Sequence, residues 1–417
     1  MSKAVLKPEE RALLDGLSDR EAVMVERLKA WSSINSGSTN TQGLARQRRC
    51  LMQAFADLGG DLGEQPLPPA SVVLADGCEV ERSFEPSLVL RQRVDAPVQV
   101  VLTGHYDTVF AADSPFQDWR MIDDDTINGP GTADMKGGLL VMLEALRVLE
   151  QSPHAARLGY TVLISPDEEI GSPGSAPLLA RYGAQADLGM TYEPALADGS
   201  LSGARKGSGN FALIVRGRAA HAGREHHKGR NALVAAAQAA LALAALTGKR
   251  DGLTVNPAKI EGGGPPNIVP DLAIVRFNVR MALPEDARWV QAEFERIAGE
   301  LDAQDGISAR LTGGFTRPPK PMAPPNARLF AMTRAAGQAL GLDIHWRDTG
   351  GVCEGNNLWA AGCPNVDTLG VRGGDIHSPK EFAILSSLVE RSRLSALLLL
   401  KFASGEFDAK SLKRAAH

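Results

Sequence analysis

Short apolar runs that alternate with helix-length amphipathic segments are the feature that most limits how this chain can fold. VQVVLTG (98–104), YTVLIS (160–165) and LGMTY (188–192) have the length of strands. Between the first two runs, residues 136–150 carry leucines on a single helical stripe. Strands of a parallel sheet that is covered on both faces are apolar along their whole length. The pattern therefore predicts an α/β fold with a mostly parallel sheet flanked by helices.

Ionisable side chains cluster just after these runs and in nearby loops, at the edge where open α/β sheets bind ligands. Several carboxylates crowded together would repel one another, and some would have to stay protonated. A pair of divalent cations removes that conflict by taking His nitrogens and carboxylate oxygens as ligands. Zinc suits this mixed set, and cobalt or manganese stays open. The residues concerned are His105, Asp107, Asp134, Asp167, Glu168, Glu169, Glu193 and His377.

Each of these residues has an ordinary structural explanation when it is taken alone. His105 and Asp107 could form a simple hydrogen-bonded pair, and adjacent Glu168 and Glu169 could be a solvated acidic turn. Asp134 could be the N-cap of the helix that begins near residue 136, and the others could lie on the surface. The prediction of a metal centre depends on several such signals falling at successive strand ends.

Six motifs in a fixed order connect this chain to a known family. They are GHYDTV, NGPGTADMKGG, SPDEEIGS, TYEPA, GRAAHAG and GGDIHSP. The ordered set resembles the di-zinc exopeptidases of the glutamate carboxypeptidase group. Acetylornithine deacetylase and succinyl-diaminopimelate desuccinylase belong to the same family. The resemblance extends from about residue 95 to about residue 400.

The resemblance implies a metal-ligand set for two zinc ions. Asp134 is expected to bridge the ions, with a cis peptide bond to the following Met135. His105 and Glu193 are expected to complete one site, and Glu169 and His377 the other. Cobalt or manganese are possible substitutes for zinc.

The resemblance also implies catalytic roles for two further carboxylates. Glu168 is expected to be the general base that acts on a metal-bridging water. Asp107 is expected to orient His105, because ligating histidines generally need such a partner. A carboxylate outside the ligand set can collect the water's proton and pass it to the leaving nitrogen.

Substrate and oxyanion contacts are implied for residues of the second half. His221 is expected to reach across a dimer interface to the tetrahedral intermediate, although a surface turn histidine is the simpler alternative. Asn267, Arg280 and Arg317 are expected to hold the carboxylate end of the substrate, since a guanidinium fits a carboxylate with two hydrogen bonds. Arg280 could equally be a strand residue paired with a nearby acid.

The chain between the two α/β portions has a different element order. From residue 204 onward the pattern reads β-α-β-β-α-β, which is the ferredoxin-like split motif. We therefore expect a discontinuous catalytic domain, 1–203 and 316–417, interrupted by a lid or dimerisation domain at 204–315. A homodimer through the inserted domain is expected. The polar tail 405–417 is expected to fray.

Composition excludes several other classes. Lys and Arg number 45 against 49 Asp and Glu, a net charge of −4, so nothing indicates nucleic acid or anionic lipid as a partner. The first twenty residues lack the apolar stretch of a signal peptide. The most apolar run, 234–246, is shorter than the ~20 residues that a bilayer requires. Four cysteines without CxxC spacing indicate reduced thiols, and a cytoplasmic enzyme is expected.

The predicted activity is hydrolysis of an amide bond next to an amino acid with a free α-carboxylate, as in glutamate carboxypeptidase. The substrate would be a small peptide or an N-acyl amino acid, so N-acyl amino acid deacylation is the alternative. Two departures from the family pattern bear on specificity: His226–His227, and Cys353–Glu354. A dinucleotide site is excluded, since Asp134 falls where the third glycine belongs. A non-catalytic binding protein on the same fold is the remote alternative.

Overall fold

The computed structural model describes residues 5–414, and its first portion builds most of the main sheet. The helices of this portion are α1 (Pro8–Asp15), α2 (Glu21–Ser32), α3 (Thr41–Phe55), α4 (Gly138–Glu150) and α5 (Ala176–Gln185). Its strands are β1 (Asp61–Gln65), β2 (Ala70–Val73), β3 (Glu79–Arg82), β4 (Ser87–Gln92), β5 (Val98–His105), β6 (Arg120–Met121), β7 (Thr126–Asn128), β8 (Leu158–Ser165), β9 (Leu188–Thr191), β10 (Ala195–Leu196) and β11 (Leu201–Arg205).

The middle portion forms a sheet of its own, and the last portion returns to the first. The middle elements are β12 (Gly207–Arg216), β13 (Ala220–His221), α6 (Ala232–Ala244), β14 (Thr254–Gly262), β15 (Ile268–Val269), β16 (Leu272–Met281), α7 (Glu285–Asp302) and β17 (Ser308–Arg317). The last are α8 (Pro324–Ala339), β18 (Trp346–Thr349), α9 (Glu354–Ala360), β19 (Asn365–Val366), β20 (Arg372–Gly374), β21 (Phe382–Ile384), α10 (Ser386–Ser404) and α11 (Lys410–Arg414).

The central sheet has six strands in the order β1-β4-β8-β5-β9-β19. The strands β8, β5, β9 and β19 run parallel to one another. At one edge, β4 runs antiparallel to β8, and β1 runs antiparallel to β4. The apolar runs read from the sequence form β5, β8 and β9, and these strands are almost entirely buried. Helix α4 is apolar on nearly every side because it packs inside one large core. The predicted α/β fold is confirmed.

The middle portion has the predicted ferredoxin-like order. Its four antiparallel strands are arranged β14-β16-β12-β17, and α6 and α7 cover one face over a separate apolar core. Asn231 begins α6 by accepting a hydrogen bond from the N–H of Val234 at 3.0 Å. The sheet runs from Gly207 to Arg317, while the proposed boundary at 204–315 stays a prediction.

The tail is ordered where it is described, so the expectation that it frays was wrong for residues 405–414. Leu412 is fully buried, and Lys410 binds the carboxylate of Asp187 at 2.8 Å. Burial of the Leu412 side chain accounts for the order of a segment whose composition is mostly polar. Residues 415–417 lie outside the described residues. Within the described part, no helix combines the length and the apolar character that a membrane span requires.

Candidate metal centre

Parallel strands bring the predicted ligands to one edge of the central sheet. His105 is the last residue of β5, Glu168 and Glu169 follow β8 in a short helical turn, and Glu193 follows β9. The loop that carries Asp134 packs tightly against this edge. At Gly138, an added Cβ would lie 1.9 Å from the carbonyl oxygen of Tyr192. Only glycine permits this approach, which accounts for part of the glycine-rich NGPGTADMKGG motif.

The first group of potential ligands surrounds the ring of His105. Its Nε2 atom lies 3.2 Å from Oδ1 of Asp134 and 3.8 Å from Oε1 of Glu193. The other ring nitrogen, Nδ1, lies 3.0 Å from the carbonyl oxygen of Asp107. Since that neighbour can only accept, Nδ1 carries a hydrogen, and Nε2 is the ring nitrogen that faces the site.

The second group uses the other oxygen of Asp134. Nε2 of His377 lies 3.2 Å from Oδ2 of Asp134 and 3.2 Å from Oε2 of Glu169. The ligand atoms within each group all lie within 4.8 Å of one another. Asp134 therefore belongs to both groups with one oxygen in each, as a bridging carboxylate requires. The peptide bond between Asp134 and Met135 is cis, as the resemblance implied.

The electrostatics of the site fit two cations. Burial and the charge of Asp134 raise the pKa of Glu169 to about 8, and the same causes raise the pKa of Glu193 well above its ordinary value. Hydrogen bonds to Asp134 and Glu169 raise the pKa of His377 to about 11. Oε1 of Glu193 is buried without a hydrogen-bond partner among residues 5–414. Without a cation, these side chains therefore keep protons. Divalent cations would bind to the same nitrogen and oxygen atoms in place of those protons, and this set of atoms suits zinc.

Asp107 ties the first group to the turn that carries Glu168 and Glu169. Its carboxylate accepts hydrogen bonds from the N–H groups of Glu168 and Glu169, both at 3.2 Å, and from the hydroxyl of Ser38 at 2.7 Å. One of its carboxylate oxygens also lies 3.3 Å from Nδ1 of His105. This arrangement supports the predicted orienting role of Asp107.

Arg317 lies in a place that the sequence did not indicate. The side chain is buried, and its Nη2 atom lies 2.8 Å from Oε1 of Glu168 and donates to the carbonyl oxygen of the same residue at 3.0 Å. It also donates to Ser172 at 3.0 Å. The last strand of the inserted sheet therefore holds Glu168 directly, and the predicted contact of Arg317 with substrate stays a prediction.

The other predicted substrate residues lie on the middle portion. Arg280 and Arg317 both pair with Ser208 across neighbouring strands, so they lie about 10 Å apart at one end of the sheet. Nη1 of Arg280 is buried without a hydrogen-bond partner in the described part of the chain. Burial and the like charge of Arg317 lower the pKa of Arg280. Asn267 and His221 are both exposed. Nδ1 of His221 accepts hydrogen bonds from the N–H groups of Gly223 and Arg224, both at 3.2 Å, and the carbonyl oxygen of Asn267 accepts one from the N–H of Ala222.

The departures from the family pattern lie in two different environments. Cys353 is buried at the N-terminus of α9, and Glu354 is buried with one oxygen on the hydroxyl of Ser165. The second oxygen of Glu354 has no partner within residues 5–414. His226 and His227 are exposed on a short turn and join neither group of potential ligands.

Sequence reasoning missed Glu381, which contacts the loop of Asp134. Its carboxylate accepts hydrogen bonds from three N–H groups of residues 131–134. The only sequence signal was its position four residues after His377, in the segment HSPKE. Nothing in that segment indicates which backbone the carboxylate meets.

The two groups around Asp134 form a candidate two-metal centre, and together with the family match and the relatives they make this protein a metallo-hydrolase. A model of peptidase family M20/M25/M40 matches residues 101–401. The chain belongs to that family, and the predicted recognition is confirmed.

Individual relatives cover nearly the whole chain. Carboxypeptidase G2 of Pseudomonas sp. (strain RS-16) is 27% identical in an alignment of length 414 that covers 97% of this chain and 95% of that protein. Succinyl-diaminopimelate desuccinylase of Nitrosococcus oceani is 26% identical in an alignment of length 398 that covers 90% of this chain and 97% of that protein. The crystal structure of a dinuclear metal-binding M20 peptidase from Bacillus subtilis matches with a TM-score of 0.63 and 15% identity, covering 93% of this chain and 99% of that one.

Proposed function

We propose that this enzyme hydrolyses an amide bond whose amine side is an amino acid with a free α-carboxylate, in the manner of a glutamate carboxypeptidase. The observation that carries the proposal is the position of Glu168. It lies next to the potential ligand Glu169 in the turn after β8 and outside both ligand groups, and its carboxylate is held by the buried Arg317 at 2.8 Å. Similarity to carboxypeptidase G2 over nearly the whole chain supports the same activity.

Two zinc ions are the proposed cofactors. His105 and Glu193 would hold one ion, Glu169 and His377 the other, and Asp134 both. When bound, divalent cations supply Lewis acidity at the scissile carbonyl and lower the pKa of water. Cobalt and manganese offer the same chemistry to this donor set.

The proton transfers are assigned to Glu168. As general base it takes the proton of the attacking water, and it then passes that proton to the leaving nitrogen. Arg317 fixes the carboxylate for this task with an ion pair at 2.8 Å. Asp107 keeps His105 in the tautomer that leaves Nε2 free.

The carboxylate end of the substrate is assigned to the inserted sheet. The free Nη1 atom of Arg280 is a donor without a partner in the described residues, and an incoming carboxylate would satisfy it. Asn267 is proposed as a second contact. His221 is exposed in the single chain, which agrees with a role at the active site of a second subunit. Exposed Val234 and Leu241 on α6 support a homodimer through this domain. Placement in the cytoplasm stays a prediction.

A variant of Glu168 tests the assignment of the base. Glu168→Ala should keep both metal ions, because the residue lies outside the ligand groups, and should lose roughly 10²- to 10⁴-fold in kcat. Glu150→Ala, which removes a partly exposed ion pair with Arg93, is the control and should retain activity. Metal content and kcat measured on the same samples decide the matter. Near-wild-type turnover in Glu168→Ala would contradict the assignment.

N-acyl amino acid deacylation is the second candidate, and the similarity to succinyl-diaminopimelate desuccinylase favours it. The bond broken is the same, with a smaller acyl group. A panel of C-terminal-glutamate peptides and N-acyl amino acids, assayed with the metal-reconstituted protein, separates the two by kcat/KM. A parallel series with a chelator should be inactive. Activity that survives complete metal removal would contradict both candidates.

A further inference from the structure

We propose that Glu381 is a positioning residue that fixes Asp134 between the two cations. The side chain is buried, with 1% of its surface exposed. Its Oε1 atom accepts hydrogen bonds from the N–H groups of Ala133 and Asp134, both at 3.0 Å, and Oε2 accepts one from Gly131 at 3.2 Å. The inference rests on the proposed metal centre and adds a residue to it.

The backbone around Asp134 needs an external acceptor for these N–H groups. Asp134 and Met135 have non-helical backbone angles. Thr132 and Lys136 donate to carbonyl oxygens of the loop itself, whereas the N–H groups of residues 131, 133 and 134 donate to Glu381. Buried N–H groups without acceptors are costly. A carboxylate that accepts three of them at once is a strong, charge-assisted anchor. The orientation of the Asp134 backbone, and with it the carboxylate, is therefore set by Glu381.

The same residue links this loop to the segment that carries His377. The carbonyl oxygen of Glu381 accepts hydrogen bonds from Nδ2 of Asn128 at 2.6 Å and from the N–H of Gly129 at 3.3 Å. Directly after it, Phe382 pairs with Asn128 where β21 meets β7. Main chain and side chain of Glu381 thus join two stretches that are distant in sequence. The distance between Asp134 and His377, which share one proposed cation, depends on that junction.

Glu381 is not itself a ligand in this arrangement. Both oxygens point at backbone N–H groups, and neither belongs to the two groups of potential ligand atoms. Its carboxylate meets the proposed centre through backbone N–H groups, including that of Asp134. Its effect must act through Asp134, and metal affinity is the quantity that this effect should change. Partners of metal ligands typically contribute about 10–100-fold to affinity.

The test measures metal binding to the full-length, metal-stripped protein. Zn²⁺ affinity by competition with a chromophoric chelator, and the absorption spectrum after addition of Co²⁺, are compared for wild type, Glu381→Ala and Glu381→Gln. Glu381→Ala should weaken affinity about 10–100-fold and alter the cobalt spectrum. Glu381→Gln should fall between, since its amide oxygen can still accept while its NH₂ group opposes the N–H of Gly131. Glu300→Gln, which removes an exposed ion pair with Arg296, is the control and should bind as wild type.

Folding is followed on the same samples, by circular dichroism and by the Tm of the metal-free protein. A merely structural role would lower that Tm and leave the affinity of the folded fraction unchanged, which would overturn the proposal. If Glu381→Ala does not fold, wild-type affinity in Glu381→Gln would overturn it equally. Asp134→Ala in the same titration tests the proposed metal centre separately from the role of Glu381. Should that variant bind two ions as tightly as wild type, the proposed centre fails rather than the role of Glu381.

Discussion

Arg317 shows how one side chain of the inserted sheet reaches the proposed base. It is buried, and its partners are Glu168, Ser172 and Asn357. Removal of the guanidinium would leave the carboxylate of Glu168 without its cation and free to rotate. The residue therefore acts on the reaction through Glu168, whatever contact it also makes with substrate.

Arg317→Ala should lower kcat by roughly 10²-fold, the smaller end of the contribution of a well-placed general base. The loss should fall on kcat rather than on KM, because Arg317 holds the carboxylate of the proposed base in place. Arg310→Ala is the control, since Arg310 lies on the same strand in an exposed pair with Glu79. Steady-state kinetics give kcat and KM separately for the two variants. An unchanged kcat with a raised KM alone would indicate a substrate contact instead.

Glu354 provides a second prediction at this scale, on stability. Burial raises its pKa from 4.5 to about 8, against the opposing effects of Ser165, His105 and Arg317, while Glu168 raises it further. The folded state therefore binds a proton that the unfolded state releases above its ordinary pKa. Stability contributed by this group falls as pH rises from 4.5 to 8.

Glu354→Gln should remove that part of the pH dependence. At pH 8 the variant should be more stable than wild type by about 1–3 kcal/mol, the cost of a buried polar atom without a partner. Near pH 4.5 the two should differ little. Urea unfolding of the metal-free proteins at both pH values measures the difference, with exposed Glu300→Gln as control. A variant that is less stable at pH 8 would contradict this account.

The potential ligands that follow the strands could be predicted from the sequence. The residues that hold those ligands and the base in place could not. His105, Glu169 and Glu193 come at the ends of apolar runs, so the sheet itself predicts their meeting. Glu381 and Arg317 act through backbone atoms and side chains more than a hundred residues away. No local pattern encodes such a pairing. It depends on how β17 and β21 pack.

At the scale of elements, a buried ionic cluster joins the inserted sheet to the central one. Asp367, just after β19, accepts from Nε of Arg205 at 2.8 Å and from Nζ of Lys320 at 2.6 Å. Arg205 precedes β12 and Lys320 follows β17, and their backbones pair with each other. Burial alone raises the pKa of Asp367, but the two cations hold it at about 2. The two segments that lead into and out of the inserted sheet therefore both bind the carboxylate of Asp367.

Asp367→Asn should destabilise the protein by about 3–5 kcal/mol, because it leaves two buried cations without their counter-charge. Asp198→Asn breaks an exposed pair with Arg347 and should cost less than about 1 kcal/mol. Thermal or urea unfolding compares the two. Equal stability of both variants would show that the cluster does not hold these two segments together.

The long elements were predictable and the short ones were not. The apolar runs at 98–104 and 160–165 predicted β5 and β8 to within two residues of their observed bounds. The second sheet, β10-β20-β21-β7-β6, has strands of only two or three residues and was not predicted. Strands this short carry no periodic signal.

At the scale of the whole molecule, the proposed ligands are spread along the chain from His105 to His377. They meet at one edge of the central sheet, beside the end of β5. The inserted sheet adds Arg317 to the same place, so the discontinuous organisation serves the site as well as the fold. The sequence motifs predicted which residues meet. The structure adds that Asp134 gives one oxygen to each group, which no spacing could reveal.

The number of metal ions bound per folded chain is the most direct measurement of this arrangement. Wild-type protein should bind two ions per chain after reconstitution with zinc and gel filtration, measured by elemental analysis. His105→Ala and His377→Ala should each retain one, because each lies in one group. Asp134→Ala should retain neither, since both groups lose a ligand. A folded Asp134→Ala protein that still binds two ions would contradict the shared carboxylate on which the account depends.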